Sequence, residues 1–276
     1  MLEKLNDLLL AIGDPALGWL LRLNRDLALA LVAALTGLVM MLIRRWTTDQ
    51  RFLRQCEADK ARLNELLREA KRRKDAEAKA RIQRTIGMLG LRTFRAEGRP
   101  LLFSIAPIAL IATWAFGRLA YLPPRPGETV RINAYTPSTR IGERIHLTPA
   151  PGLAAENGWL QRIRPVTTND FAWGVYQGMA SWDVRAEPRA EPYRLRIRFA
   201  GETFEMPLLA GQPRYSPPIV AFDHPGLQAL TADLPEYRPF GIVPGLPALM
   251  LQPWLVGYLI LVIPMSLLLK RALRIA

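Results

Sequence analysis

Residues 44–99 form a charged, helix-favouring stretch with an apolar run on either side, 27–43 before it and 101–117 after it. Its central part has neither proline nor glycine before Gly87. It carries 17 Lys and Arg against 8 Asp and Glu, a net +9 within a chain of +13. A charged segment whose two ends both return to apolar runs has to fold back on itself. Phe52, Cys56, Asp59, Leu63, Leu66 and Ala70 follow a 4-3-4-3-4 spacing, a heptad seam with Asp59 as its flaw. Ala78, Ile82, Ile86 and Leu89 supply a returning seam, and the tip falls around residues 72–75, in the run Lys71, Arg72, Arg73, Lys74. The pattern predicts an antiparallel coiled-coil hairpin with arms of about 30 Å at 1.5 Å per residue. Cys56, the single cysteine, falls on the seam as a small apolar residue, so neither an intramolecular disulfide nor a cysteine-based metal site is expected.

The flanking runs have the composition of membrane spans. LALALVAALTGLVMMLI (27–43) has only Thr36 as a polar residue and ends on Arg44, Arg45 and Trp46, an interfacial anchor. The second span, within 100–121, contains LLFSIAPIALIATWAFG, where Pro107 predicts a kink and Gly98–Arg99–Pro100 a break from the second arm. The third, 246–269, starts at Pro253 and Trp254, is kinked at Pro264, and leads into a basic tail at 270–276. Residues 1–26 read as an amphipathic helix in the membrane interface, interrupted at Gly13–Asp14–Pro15, with Trp19 near the headgroups. Glu3 and Asp7 occupy the place of the basic region a signal peptide would need.

Between the second and third spans the composition changes. Residues 122–245 contain no lysine, many prolines and short alternating runs. In one of them Tyr193, Leu195, Ile197 and Phe199 alternate with Arg194, Arg196 and Arg198, a period of two that marks a half-buried strand. Gly201 predicts a hairpin turn after it. The segment is predicted to be an all-β domain, an immunoglobulin-like sandwich, with Trp159, Trp173 and Trp182 as core or sheet-face aromatics. His146 and His224 lie 78 positions apart and have no metal-ligand spacing around them.

Charge sets the orientation. The 44–99 loop is strongly basic, and the tail adds Lys270, Arg271 and Arg274, whereas 122–245 has 13 Arg against 12 Asp and Glu. The positive-inside rule then puts the N-terminus outside, the hairpin and C-terminus in the cytoplasm, and the β-domain outside, in a bacterial cytoplasmic membrane.

This order of parts, with PALGWLLRL before the first span, the exit into Arg44–Arg45, the hairpin and RPLLFSIAPIALIATWAFG, resembles the YidC/Oxa/Alb insertase superfamily. The likeness is to its minimal three-span branch, which includes archaeal YidC-like proteins and the insertase subunit of the endoplasmic-reticulum membrane complex. It covers about 1–121 and 246–276 and rests on architecture. It implies a protein that helps hydrophobic client segments enter the bilayer through a polar groove between three helices, with the hairpin receiving the client. Mapped onto this chain, the groove candidates are Thr36, Ser104, Thr113, Tyr258 and Ser266, with Met40, Met41 and Met265 as an adaptable apolar surface. Arg44 and Arg45 lie at the cytoplasmic mouth, and the basic tip faces a ribosome or anionic lipid. The chain departs from the family pattern in having no charge inside the first two spans and in carrying a β-domain outside.

The alternative is a membrane scaffold or signalling subunit, whose β-domain binds an extracytoplasmic partner while the coiled coil recruits a cytoplasmic protein. Gly-rich phosphate loops, GxSxG and paired-His motifs are absent from the sequence, which points away from an enzyme and predicts no cofactor. No recognition motif marks a specific nucleic-acid site.

Overall fold

A computed structural model describes residues 2–47, 50–167, 176–249 and 251–273, and these described residues form five α-helices and ten strands. The chain separates into a helical unit (Met1–Gly18, Asn24–Ala115 and Leu255–Ala276) and a mainly β unit (Trp19–Leu23 and Phe116–Trp254).

In the helical unit, α1 (Leu2–Leu17) runs straight through the predicted interruption, with Pro15 inside it and a 3-10 turn at Gly18–Arg22 after it. Gly13 and Asp14 serve packing instead. A Cβ on Gly13 would come within 2.7 Å of the Trp114 ring, and the Trp114 indole N–H donates to Asp14 Oδ1 at 3.0 Å. Asn24 caps α2 (Arg25–Thr47), its side-chain oxygen accepting from the Asp26 N–H at 2.8 Å. Along α2 the buried residues are mostly small and recur at helical spacing: Ala28, Leu29, Val32, Ala33, Thr36, Gly37 and Met41. Such a face lets helices approach closely. At Gly37 an added Cβ would sit 3.1 Å from Leu269 and 3.3 Å from the Ser266 hydroxyl, both on α5 (Pro253–Ala272).

The charged stretch forms α3 (Gln50–Arg72) and the first part of α4 (Ala76–Leu119), so the turn falls where the sequence places it. No glycine is present, so Lys74 takes the left-handed conformation, φ 55°. The Asp75 N–H reaches back to the Ala70 carbonyl and the Lys74 N–H to that of Lys71, a Schellman closure. Asp75 then caps α4, accepting from the Ala78 N–H at 2.9 Å. Burial along α3 follows Cys56, Leu63, Leu67 and Ala70, so Leu67 takes the place predicted for Leu66, which is exposed, as is Asp59. On α4 the predicted Ala78, Ile82, Ile86 and Leu89 are the sheltered positions, joined by Thr93.

The predicted break at Gly98–Arg99–Pro100 is absent: α4 is one helix of 44 residues that contains both the returning arm and the second apolar span. Ending a helix and starting another leaves unsatisfied backbone groups on both sides, whereas one proline removes a single bond. The third helix starts at Pro253, the entry expected within 246–269. A 3-10 turn (Pro247–Leu249) precedes it, and Pro253 occupies the first helical turn, where its missing N–H costs nothing. The segments Arg25–Thr47, Leu102–Leu119 and Pro253–Ala272 are each long and apolar enough to cross a membrane, and only 39%, 28% and 17% of their most apolar windows is buried.

The β unit contains two antiparallel sheets. One holds β1 (Thr129–Thr136), β3 (Leu153–Ala155), β5 (Arg164–Pro165), β6 (Gly178–Ala186), β9 (Ile219–Ala221) and β10 (Ala229–Asp233), in the order β3-β6-β1-β10-β9 with β5 beside β6. The other holds β2 (Arg144–Leu147), β4 (Leu160–Arg162), β7 (Tyr193–Phe199) and β8 (Glu202–Leu208), in the order β4-β2-β7-β8. Their inward residues share one core, with Ile132, Val184 and Leu230 from the first sheet and Ile145, Ile197 and Met206 from the second. Trp182 is fully buried in that core and donates its indole N–H to the Trp159 carbonyl at 3.0 Å. Trp173 and most of the predicted strand around it lie outside the described residues. Ala200 (φ 50°) and Gly201 (φ 83°) make the two-residue turn between β7 and β8.

The strand order is not the predicted immunoglobulin one. Immunoglobulin strands enter each sheet largely in hairpin pairs, whereas β1 to β5 alternate between the sheets. Each of the first three crossings has a glycine at positive φ near it, Gly142, Gly152 and Gly158, and these permit the abrupt changes of direction.

Candidate functional site

The polar residues within the three apolar helices are more enclosed than a preformed aqueous groove would need. Thr36 is 3% exposed, and its hydroxyl donates to the Val32 carbonyl one turn back at 2.9 Å. Thr85 and Thr93 make the same bond within α4. A helical threonine satisfies itself this way, so its presence in a span does not by itself mark a groove. Ser104 is also buried. Ser266 is half-buried against Gly37, which puts the Thr36–Gly37 step of α2 at its close approach to α5. Thr113, Tyr258 and Met265 are half-buried. Met41 is buried, while Met40 is exposed.

Apolar residues make up the outer faces of these helices. Leu102, Phe103 and Ile105 on α4, and Ile260, Ile263, Leu267 and Leu268 on α5, are each more than half exposed.

At the predicted mouth the two arginines separate. Arg44 is half-buried and lines a pocket of about 360 Å³ with Cys56, Glu57 and Lys60 of α3 and Leu89, Thr93 and Phe94 of α4. Arg45 is exposed and is not part of its lining. Arg44, Cys56 and Leu89 of this wall carry sequence signals as mouth and seam residues, whereas Glu57, Lys60, Thr93 and Phe94 carry neither of those signals. Beside it Met88, Leu91 and Phe94 are exposed on the second arm, with Phe94 at 73%. The signal lay in the run GMLGLRTF (87–94), where apolar residues surround the helix instead of keeping to a seam. At the tip Lys71, Arg72, Arg73 and Lys74 are all exposed, and their charge lies at the C-terminal end of α3, where the helix dipole favours cations.

The β unit has its own polar cluster where the chain enters and leaves it. Phe116 and Trp254 pack edge to face, as do Tyr121 and Tyr215. The Trp254 indole N–H donates to the side-chain oxygen Oε1 of Gln252, the Gln252 side-chain amide donates to the Tyr121 hydroxyl, and the Tyr215 hydroxyl donates to the Phe116 backbone carbonyl. His224 Nδ1 accepts from the Gly226 N–H and its Nε2 lies 3.2 Å from Glu202, while His146 sits in β2. Among the described residues, no group of three or more His, Cys, Asp or Glu is placed to hold a metal ion.

No protein-family model, no curated protein and no solved structure matches this chain.

Proposed function

We propose that this is a membrane insertase or membrane chaperone of the YidC/Oxa/Alb kind, which helps hydrophobic segments enter the bilayer. The observation that carries the reading is the 44-residue α4, which joins a basic, water-facing arm to an apolar span without interruption. A client caught on the arm is then already aligned with the path into lipid.

Several further features support it. Leucines and isoleucines cover the outer faces of the three apolar helices, a surface that water would not tolerate over such an area but a bilayer would. The sheltered positions of α3 and α4 suit an antiparallel coiled coil. Met88, Leu91 and Phe94 offer a client an apolar landing place beside Arg44, and methionine adapts to varied side chains. Ser266, half-buried beside Gly37, would offer a passing polar group a hydroxyl at the approach of α2 to α5. A charged residue at the bilayer centre costs about 3 kcal/mol on insertion scales, so even partial hydration between these helices speeds entry. The charge asymmetry supports an orientation with the hairpin in the cytoplasm and the β-sandwich outside, and a bacterial cytoplasmic membrane is the proposed location. The Phe116, Tyr121, Tyr215 and Trp254 cluster would lie at the outer interface, where aromatic residues concentrate.

Site-specific photocrosslinking tests this reading. Probes replacing Ser104, Ser266 and Phe94 are expected to capture a single-span client during its synthesis, Phe94 first and the serines later. Absence of client adducts at all three positions would refute it.

A scaffold role for the β-sandwich is the second reading, favoured by the polar cluster of Asn133, Asp233 and Ser181 on the outward face of its six-stranded sheet.

A further inference from the structure

The segment between β10 and α5 is apolar and exposed at once. From Pro239 to Leu269 the sequence has no charged residue. A bilayer core of about 30 Å takes about 20 helical residues, and α5 supplies 20 by itself. Residues 239–252 are therefore not needed to complete a crossing, and their lack of charge calls for another cause.

The side chains of this segment turn outward. Phe240, Ile242, Leu246 and Leu249 are all exposed, Ile242 by 81% and Leu249 by 66%. Among the described residues of 122–238, the large apolar side chains so exposed are Ile141, Leu160 and Ile219 only. A single exposed apolar residue is ordinary on a protein surface, whereas a group of them marks a contact.

Its backbone is prepared for a medium poorer in water. Two 3-10 turns shape it, Pro239–Gly241 and Pro247–Leu249. Leu246 and Leu251 exchange backbone bonds, each N–H donating to the other's carbonyl, at 2.9 and 3.1 Å. The Gly241 N–H donates to the Arg238 carbonyl, those of Ile242 and Val243 to Pro239, and that of Leu249 to Leu246. Pro239, Pro244 and Pro247 have no N–H to satisfy. Non-helical backbone enters a lipid environment only where its polar groups find partners. At Gly245 an added Cβ would come within 3.0 Å of the Leu251 carbonyl oxygen and 3.2 Å of the Pro253 ring. This close approach braces the segment against the first residue of α5.

We propose that residues 239–252 sink into the headgroup–acyl boundary of the leaflet where α5 begins, as a lipid anchor for the β unit. A protein partner fits less well, because a protein interface has a polar rim, whereas this segment is uncharged and continues directly into an apolar span. The proposal rests on α5 crossing a bilayer and does not need insertion activity.

The test uses the full chain with Cys56→Ser, in zwitterionic nanodiscs, and an environment-sensitive fluorophore on one introduced cysteine. The labelled variants are Ile242→Cys and Leu249→Cys in the segment and Ile263→Cys within α5, all at exposed positions. Quenching is compared for iodide in the water and for lipids with a nitroxide either near the headgroup or near the chain end. Labels at 242 and 249 are expected to be quenched several-fold more by the shallow nitroxide than by the deep one, and to resist iodide. The label at 263 is expected to respond most to the deep nitroxide. Iodide quenching at 242 and 249 with lipid quenching retained at 263 would overturn the anchor alone. So would labels at 242 and 249 that neither quencher reaches, the sign of a second copy or another protein covering the segment. Loss of lipid quenching at 263 as well would overturn the span and the anchor together.

Discussion

Single residues carry much of the local geometry. Ala200 occupies a left-handed position that costs an L-residue with a Cβ about 1–2 kcal/mol. Ala200→Gly is expected to stabilise the β unit by about 1 kcal/mol, seen as a higher midpoint for loss of its tryptophan near-ultraviolet signal. Gly13 is the opposite case. A side chain there runs into Trp114, so Gly13→Val is expected to destabilise the helical unit by about 1–3 kcal/mol, an overpacking cost, read as a lower unfolding midpoint in detergent. Asp233 makes stability depend on pH. Burial raises its folded pKa above the ordinary 3.8, while Asn133 and Arg131 oppose that shift and Asp183 adds to it. The folded chain therefore holds this proton more tightly than the unfolded one. The stability gained is complete below about pH 4 and is lost as pH rises through the raised value. Asp233→Asn is expected to flatten this dependence, measured as hydrogen-exchange protection of β1 and β10 in the full chain at pH 4 and pH 7.

At the scale of elements, the same sequence signals succeeded or failed according to what competed with them. The alternation of Tyr193 to Phe199 was legible because each inward residue meets the core and each arginine meets water. The hairpin tip was legible because Lys71–Lys74 is too charged to shelter. Gly13–Asp14–Pro15 and Gly98–Arg99–Pro100 misled because local helix-breaking tendency is outweighed by packing in the first case and helix continuity in the second. The strand order was not legible, since glycine turns permit crossings without dictating which sheet receives the next strand. Of the candidate site, the polar residues of the spans were visible in the sequence, but their enclosure was not. Thr36 is already bonded to its own helix, which only coordinates reveal. The continuity of α4 is directly measurable. Spin labels at Arg81 and Thr113, in a Cys56→Ser background, are expected about 48 Å apart at 1.5 Å per residue. A bend at residues 98–100 would shorten that distance.

At the scale of the whole molecule, the proposed insertase would receive apolar segments on its basic hairpin and pass them beside the three apolar helices. The basic tip should act through an anionic surface, at about 1 kcal/mol per charge. Replacing Lys71, Arg72, Arg73 and Lys74 with glutamine is expected to abolish sedimentation of the nanodisc-held chain with anionic vesicles at low salt. Sedimentation with ribosomes alone would identify RNA or ribosomal protein as the surface instead. The most direct test of the central claim is insertion of a short single-span client into liposomes containing the purified chain, scored by protease protection. The account predicts a several-fold rise in protected client over protein-free liposomes, most of it lost when the hairpin is shortened. Equal protection with and without the chain would contradict it.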